Sequence, residues 1–174
     1  MSRRRLLLLL LTIAVGAGCA GSDPLGLDGP DQAEPREGTT LTARVIRIVD
    51  GDTIKIRRDG SRDTVRLIGI DTPESVKPGT PVECFAKEAS REATRLLDGE
   101  RVNLVLDREP RDRYDRLLAY VYRDRDGLFV NERLVRRGFA RTLRIAPNTR
   151  FAERFTRAQE EARDERLGLW GRCE

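Results

Sequence analysis

The segment Leu41-Thr42-Ala43-Arg44-Val45-Ile46-Arg47-Ile48-Val49-Asp50-Gly51-Asp52-Thr53-Ile54-Lys55-Ile56 reads as two strands and a turn. Leu41 to Val49 is rich in β-branched residues and partly alternating, the pattern of a half-buried strand. Asp50-Gly51 is a tight-turn dipeptide and Thr53 to Ile56 resumes the alternation, which makes a hairpin. A second turn at Arg58-Asp59-Gly60 leads to a third strand, Thr64 to Ile70, ended by Pro73. Within this strand a period of two would send Arg66 and Asp71 to opposite faces. For both to reach one pocket the strand must slip phase, and Gly69 is the place for a bulge or kink.

Beyond a Pro- and Gly-rich loop, Glu74 to Val82, the residues Phe85, Ala89, Ala93, Leu96 and Leu97 recur at helical spacing and stop before Asp98-Gly99. Val102, Leu104 and Leu106 alternate as a fourth strand, and Leu117 to Tyr122 is a fifth. A short helix follows around Asn131 to Arg137, closed by Gly138. A last helix runs from Asn148 to Arg166, with Leu169 and Trp170 packing it down. Five short strands with one helix inserted and two at the end are not a βαβ alternation. They predict an α+β fold over residues 41–173: a five-stranded antiparallel OB-type β-barrel with three flanking helices.

Ahead of the barrel, Arg3, Arg4 and Arg5 precede an apolar run from Leu6 to Val15 that is too short to span a bilayer comfortably. Residues 1–18 therefore read as a secretory signal. Gly16-Ala17-Gly18 before Cys19 resembles the lipobox of bacterial lipoproteins, with Gly16 where that motif usually has leucine. The resemblance implies a lipid anchor on Cys19 and a protein held at a membrane surface. Conventional cleavage nearby and an uncleaved anchor are the alternatives. Residues 19–40 are rich in Gly, Pro, Asp and Glu and read as a flexible tether. An exported chain meets oxidising surroundings, so Cys84 and Cys173 invite a disulfide, with two buried free thiols as the alternative.

The net charge of +4 includes three arginines of the signal; without them 30 Lys and Arg face 29 Asp and Glu. A blanket basic surface is excluded, so any attraction to phosphate has to be local. The chain has no histidine. That removes the usual general base at neutral pH and leaves a metal plus a carboxylate as its substitute. Zinc has no home here either.

Taken alone, Asp52 is the solvated flank of a hairpin, and Asp71-Thr72-Pro73-Glu74 is a turn ahead of proline. Taken together, Asp52 and Asp71 end neighbouring strands, where two carboxylates repel unless a cation lies between them. Oxygen ligation by this pair, completed by a backbone carbonyl and waters, suits Ca²⁺. Arg66 and Arg116 sit at strand mouths and carry permanent, forked charge. Such groups bind phosphate oxygens and stabilise extra charge in a transition state. The run Arg108 to Arg116 is partly a solvated basic loop, from which Arg113 and Tyr114 can touch a terminal phosphate.

These segments, in register with Cys84-Phe85-Ala86-Lys87-Glu88-Ala89, Val130-Asn131-Glu132-Arg133-Leu134-Val135-Arg136-Arg137-Gly138 and Gly168-Leu169-Trp170, resemble the staphylococcal-nuclease-like (thermonuclease) family. The resemblance covers most of residues 41 to 172. It implies an OB-type barrel and a Ca²⁺-dependent phosphodiesterase that cuts DNA and RNA and leaves 3′-phosphate ends. A monomer is expected separately, with nothing in the sequence to fix the oligomeric state. By position, Asp52, Asp71 and the Thr72 carbonyl resemble the metal ligands, and Glu74 the base that activates or orients water. Arg66 and Arg116 resemble the phosphate clamps, and Arg113 and Tyr114 the holders of a neighbouring phosphate. Two departures stand out. Leu143-Arg144-Ile145 replaces a tyrosine pair, which puts base stacking in doubt, and Asp115 replaces a glycine beside Arg116. A non-catalytic nucleic-acid-binding module on the same barrel and a structural envelope lipoprotein are the competing readings.

Overall fold

The computed structural model describes residues 37–74, 79 and 81–173. The expected signal, Cys19 and most of the expected tether lie outside the described residues. β1 (Thr40–Ile48), β2 (Thr53–Arg58) and β3 (Ser61–Leu67) form the expected antiparallel meander. β4 (Ile70–Asp71) follows, then α1 (Ala86–Leu97), β5 (Arg101–Arg111) and β6 (Leu117–Arg123). The chain ends with α2 (Val130–Arg136), β7 (Arg141–Thr142), α3 (Ala152–Asp164) and α4 (Leu169–Arg172). Five strands close into a barrel in the order β1-β2-β3-β6-β5, the OB-type α+β architecture. Ile54, Ile56, Val65, Leu67, Leu104 and Leu106 point into it and are fully buried.

An all-antiparallel barrel was expected, and one seam corrects it. β3 and β6 run parallel, with Val65 opposite Leu117 and Arg66 opposite Leu118. The reason is parity: a closed ring of five strands cannot alternate direction all the way round.

The third strand is also interrupted where the phase slip was expected. β3 stops at Leu67, and the chain turns through Ile68-Gly69 before β4 pairs with β7. Gly69 has φ +79°, and a Cβ there would stand 2.3 Å from Phe155 Cε2. Only glycine fits both constraints.

The last long helix begins at Ala152, four residues later than expected. Asn148 is buried and uses its side-chain amide on β5, accepting from the Glu109 N–H at 2.9 Å and donating to the Glu109 carbonyl at 2.8 Å. Leu169 and Trp170 form the short fourth helix, and pack with Ala162 of α3. Asn131 of α2, fully buried, accepts from the Val121 N–H at 2.8 Å and donates to the Ile68 carbonyl at 2.9 Å. It therefore ties the turn after β3 to β6. Cys84 and Cys173 form a disulfide with Cα atoms 5.9 Å apart, 89 residues apart in sequence.

Candidate active site

Asp52 sits at the foot of the β1–β2 turn and is buried. The turn packs tightly: a Cβ on Gly51 would lie 2.7 Å from Thr72 Cγ2. Thr72, also buried, closes over Asp52 from the far side of the Gly69 turn, donating to Asp52 Oδ2 from its N–H (2.8 Å) and its hydroxyl (3.0 Å). Thr53 Oγ1 donates to Oδ1 at 3.2 Å. A carboxylate held by so many donors has a fixed orientation.

Arg66 lies between the two aspartates. Its Nη1 is 2.7 Å from Asp52 Oδ2 and its Nη2 is 2.9 Å from Asp71 Oδ1. Nη1 also donates to the Leu67 carbonyl at 3.1 Å. Arg66 thus spans the two carboxylates that were expected to share a cation. The kink at Gly69 is what lets Arg66 and Asp71 meet.

Burial pushes the Asp71 carboxyl up, while Arg66 pulls it down. Asp50, which accepts the Asp52 N–H at 3.1 Å, is pushed up to about 6 by burial and then by the charge of Asp52. Three aspartates in one corner thus crowd negative charge that a cation relieves.

Arg116 belongs to the β5–β6 connection. Asp112 holds it: Oδ2 takes its Nε and Nη2, each at 2.7 Å, and Oδ1 takes its N–H at 3.0 Å. The same Oδ1 accepts the Tyr114 N–H at 2.9 Å, so one carboxylate builds the loop and aims the arginine. Asp112 is the functional residue that sequence reasoning missed, and an aspartate opening a turn two residues before the next N–H it bonds was the available signal. Asp115 does not hold Arg116. It takes φ +62°, which explains why glycine suits the position, and its carbonyl accepts from Arg111 at 2.7 Å.

Arg66, Arg113, Tyr114, Arg116, Leu143 and Ile145 line one cleft of about 510 Å³. Tyr114 and Ile145 are largely exposed there. Arg113 donates to the Tyr114 hydroxyl at 2.7 Å, and both Arg113 and Arg116 lie over its ring. Glu74 is half-buried two residues beyond Thr72 and outside the lining of this cleft. Its N–H donates to Glu83 Oε2 at 3.0 Å and its carbonyl accepts from the Glu83 N–H at 3.0 Å. Cys173 of the disulfide packs with the Ala162–Trp170 cluster.

The residues fit a hard cation in donor type. Asp52 and Asp71 offer oxygen alone, and Asp71 has a side chain 57% exposed. Among the described residues no group of three or more acidic or sulfur side chains is poised on a metal. A shell here would have to be completed by main-chain oxygen and water, as Ca²⁺ and Mg²⁺ accept.

Permanent forked cations on one cleft, interleaved with carboxylates, are the chemistry that binds phosphate oxygens. Comparison with known sequences narrows that reading. The pattern of the staphylococcal nuclease homologue family matches residues 64–172. A thermonuclease of Staphylococcus hyicus is 43% identical over 129 residues, covering 74% of this chain and 75% of that protein. A thermonuclease of Staphylococcus intermedius is 43% identical over 145 residues, 83% of this chain and 85% of its own. Endonuclease YncB of Bacillus subtilis is 39% identical over 152 residues, 82% and 71%. The chain belongs to the staphylococcal nuclease homologue family.

Proposed function

We propose that the protein is a nuclease: a Ca²⁺-dependent phosphodiesterase that hydrolyses DNA and RNA to 3′-phosphate ends, exported and lipid-anchored through Cys19. The observation that carries this reading is the placement of Arg66 and Arg116 on one open cleft, with Arg66 also bridging Asp52 and Asp71. Thermonuclease and endonuclease relatives support it.

In this reading the two guanidinium groups hold the non-bridging oxygens of the phosphate and offset the charge that grows as water adds to phosphorus. The P–O5′ bond breaks, phosphate stays on the 3′ side, and the 5′ oxygen leaves and takes a proton from solvent. Glu74 accepts the proton of the attacking water, the role left open by the absence of histidine. Asp52 and Asp71, with the Thr72 carbonyl, would hold Ca²⁺, which when bound supplies Lewis-acid polarisation of the phosphoryl oxygen. Asp112 keeps Arg116 aimed, and the exposed ring of Tyr114 gives a sugar or base a surface to rest on.

Purified protein is expected to degrade single-stranded DNA with Ca²⁺ and to stop with chelator. Glu74→Gln is expected to lower turnover by about two to four orders of magnitude, the usual worth of a general base, while Ca²⁺ binding by calorimetry persists. Wild-type protein that binds DNA and leaves it uncut would replace this reading with the non-catalytic one.

A further inference from the structure

The outer face of the β1-β2-β3 meander carries a second group of cations that the cleft does not use. Alternation turns Val65 and Leu67 of β3 into the core and Arg62, Thr64 and Arg66 outward. Strand pairing sets Arg57 opposite Arg62, Lys55 opposite Thr64, and Arg47 opposite Lys55. Arg47, Lys55, Arg57 and Arg62 are all exposed and border one trough of about 490 Å³.

None of these four side chains has a hydrogen-bond or ion-pair partner among the described residues. The acid that shares the trough, Asp63, is already engaged by Arg111 at 2.8 Å. Arg44, opposite Arg57, is by contrast anchored on the Gly99 carbonyl at 2.8 Å. Like charges directly opposite one another destabilise a sheet. Beyond its first 18 residues the chain nearly balances its charges. The patch is therefore a local concentration of field and not a by-product of composition.

Geometry connects the patch to the cleft. Arg62 and Arg66 share one face of one strand, four residues or roughly 13 Å apart, a span on the order of two nucleotides of an extended strand. A cationic groove that tracks a backbone is the usual means of holding single strands without reading sequence. We propose that Arg47, Lys55, Arg57 and Arg62 form a phosphate track for the nucleic-acid backbone beyond the phosphate being cut. Long single strands then lie along β2 and β3 while Arg66 and Arg116 hold the reacting group. This deepens the nuclease reading and rests on it.

The test compares the full chain with its Lys55→Gln/Arg57→Gln/Arg62→Gln variant and, separately, with Arg47→Glu. Binding of labelled long single-stranded DNA is followed by fluorescence anisotropy in chelator across a salt series, and cleavage of the long strand and of a dinucleotide is followed with Ca²⁺. The triple variant is expected to bind the long strand at least about ten-fold more weakly at low salt. Its plot of log affinity against log salt should flatten by about 2, at ~0.7 per lost single-strand phosphate contact. Dinucleotide cleavage should not change, and Arg47→Glu should shift long-strand binding in the same direction. Unchanged affinity and slope would overturn the track, as would an equal loss on dinucleotide and long strand. Lost binding to phosphatidylserine vesicles with DNA affinity intact would overturn it too, reassigning the patch to a membrane. Wild-type protein that binds long strands with the steeper salt slope yet cuts neither substrate would refute the nuclease reading and leave the track supported.

Discussion

Gly69→Ala probes the kink on which the site depends. The residue sits at φ +79°, and an added Cβ would lie 2.3 Å from Phe155 Cε2 and 2.7 Å from Cδ2. The left-handed backbone costs an alanine about 1–2 kcal/mol. Phe155 is buried in the main core, so moving its ring aside costs about 1–3 kcal/mol more. The lower entropy of an unfolded chain carrying alanine returns about 0.4–1 kcal/mol. The net loss is about 1–4.5 kcal/mol, which leaves a domain of ordinary stability folded. At a urea slope of roughly 2 kcal/mol per molar, the unfolding midpoint should fall by about 0.5–2 M. Phe155→Leu in the same background should recover part of the loss, since it frees the steric component and leaves the backbone component, and the double-mutant coupling should be clearly favourable. A midpoint shift below about 0.3 M, within the scatter of such fits, or the absence of coupling, would refute this account of the turn. Residual activity offers a second check. Relaxing the turn separates Arg66 from Asp71, so the folded variant should cut more slowly than its folded fraction explains.

Three further outcomes are expected. Asp112→Asn removes the carboxylate that holds Arg116, and kcat/KM should drop about ten-fold or more, the ~1.5–3 kcal/mol of a charge-assisted hydrogen bond, with the urea midpoint shifting little. Cys84→Ser/Cys173→Ser opens a closure of 89 residues and should lower stability by about 4–5 kcal/mol on the chain-entropy treatment, read as a lower midpoint that reductant no longer changes. Hydrogen bonds from Arg123 hold Asp126 down to about 2, and hydrogen bonds from Arg154 hold Glu132 below its ordinary value. A depressed carboxylate contributes stability above its unfolded pKa and loses it as pH falls through the folded one. The urea midpoint should therefore decline between roughly pH 4.5 and 2, and less steeply in Asp126→Asn.

The strands were legible because their alternation records which face is buried, and Ile54, Ile56, Val65 and Leu67 are the buried members of that alternation. Gly69 was legible as a break because two residues needed for one chemistry stood in opposite phase. The start of α3 was not, because Asn148 looks like a helix cap and only the distant Glu109 backbone gives it another task. The parallel seam follows from counting five strands and needed closure to be considered, not merely pattern. At the site, residue types pointed to charge and phosphate, but pattern alone could not show that Arg66 occupies the space between Asp52 and Asp71. Asp112 was hidden for a similar reason: its worth lies in which atoms it aims, and that is a property of the loop's conformation.

The parallel seam has a consequence for how the protein becomes active. Val65 meets Leu117 in register, which brings Arg66 and Arg116 to line one cleft although fifty residues of chain separate them. Contacts of such long sequence separation are late and costly to form. No partly built barrel carries both arginines in place. Regained activity after dilution from denaturant is therefore a clock for ring closure itself, lagging any signal that reports the local β1-β2-β3 meander or α1.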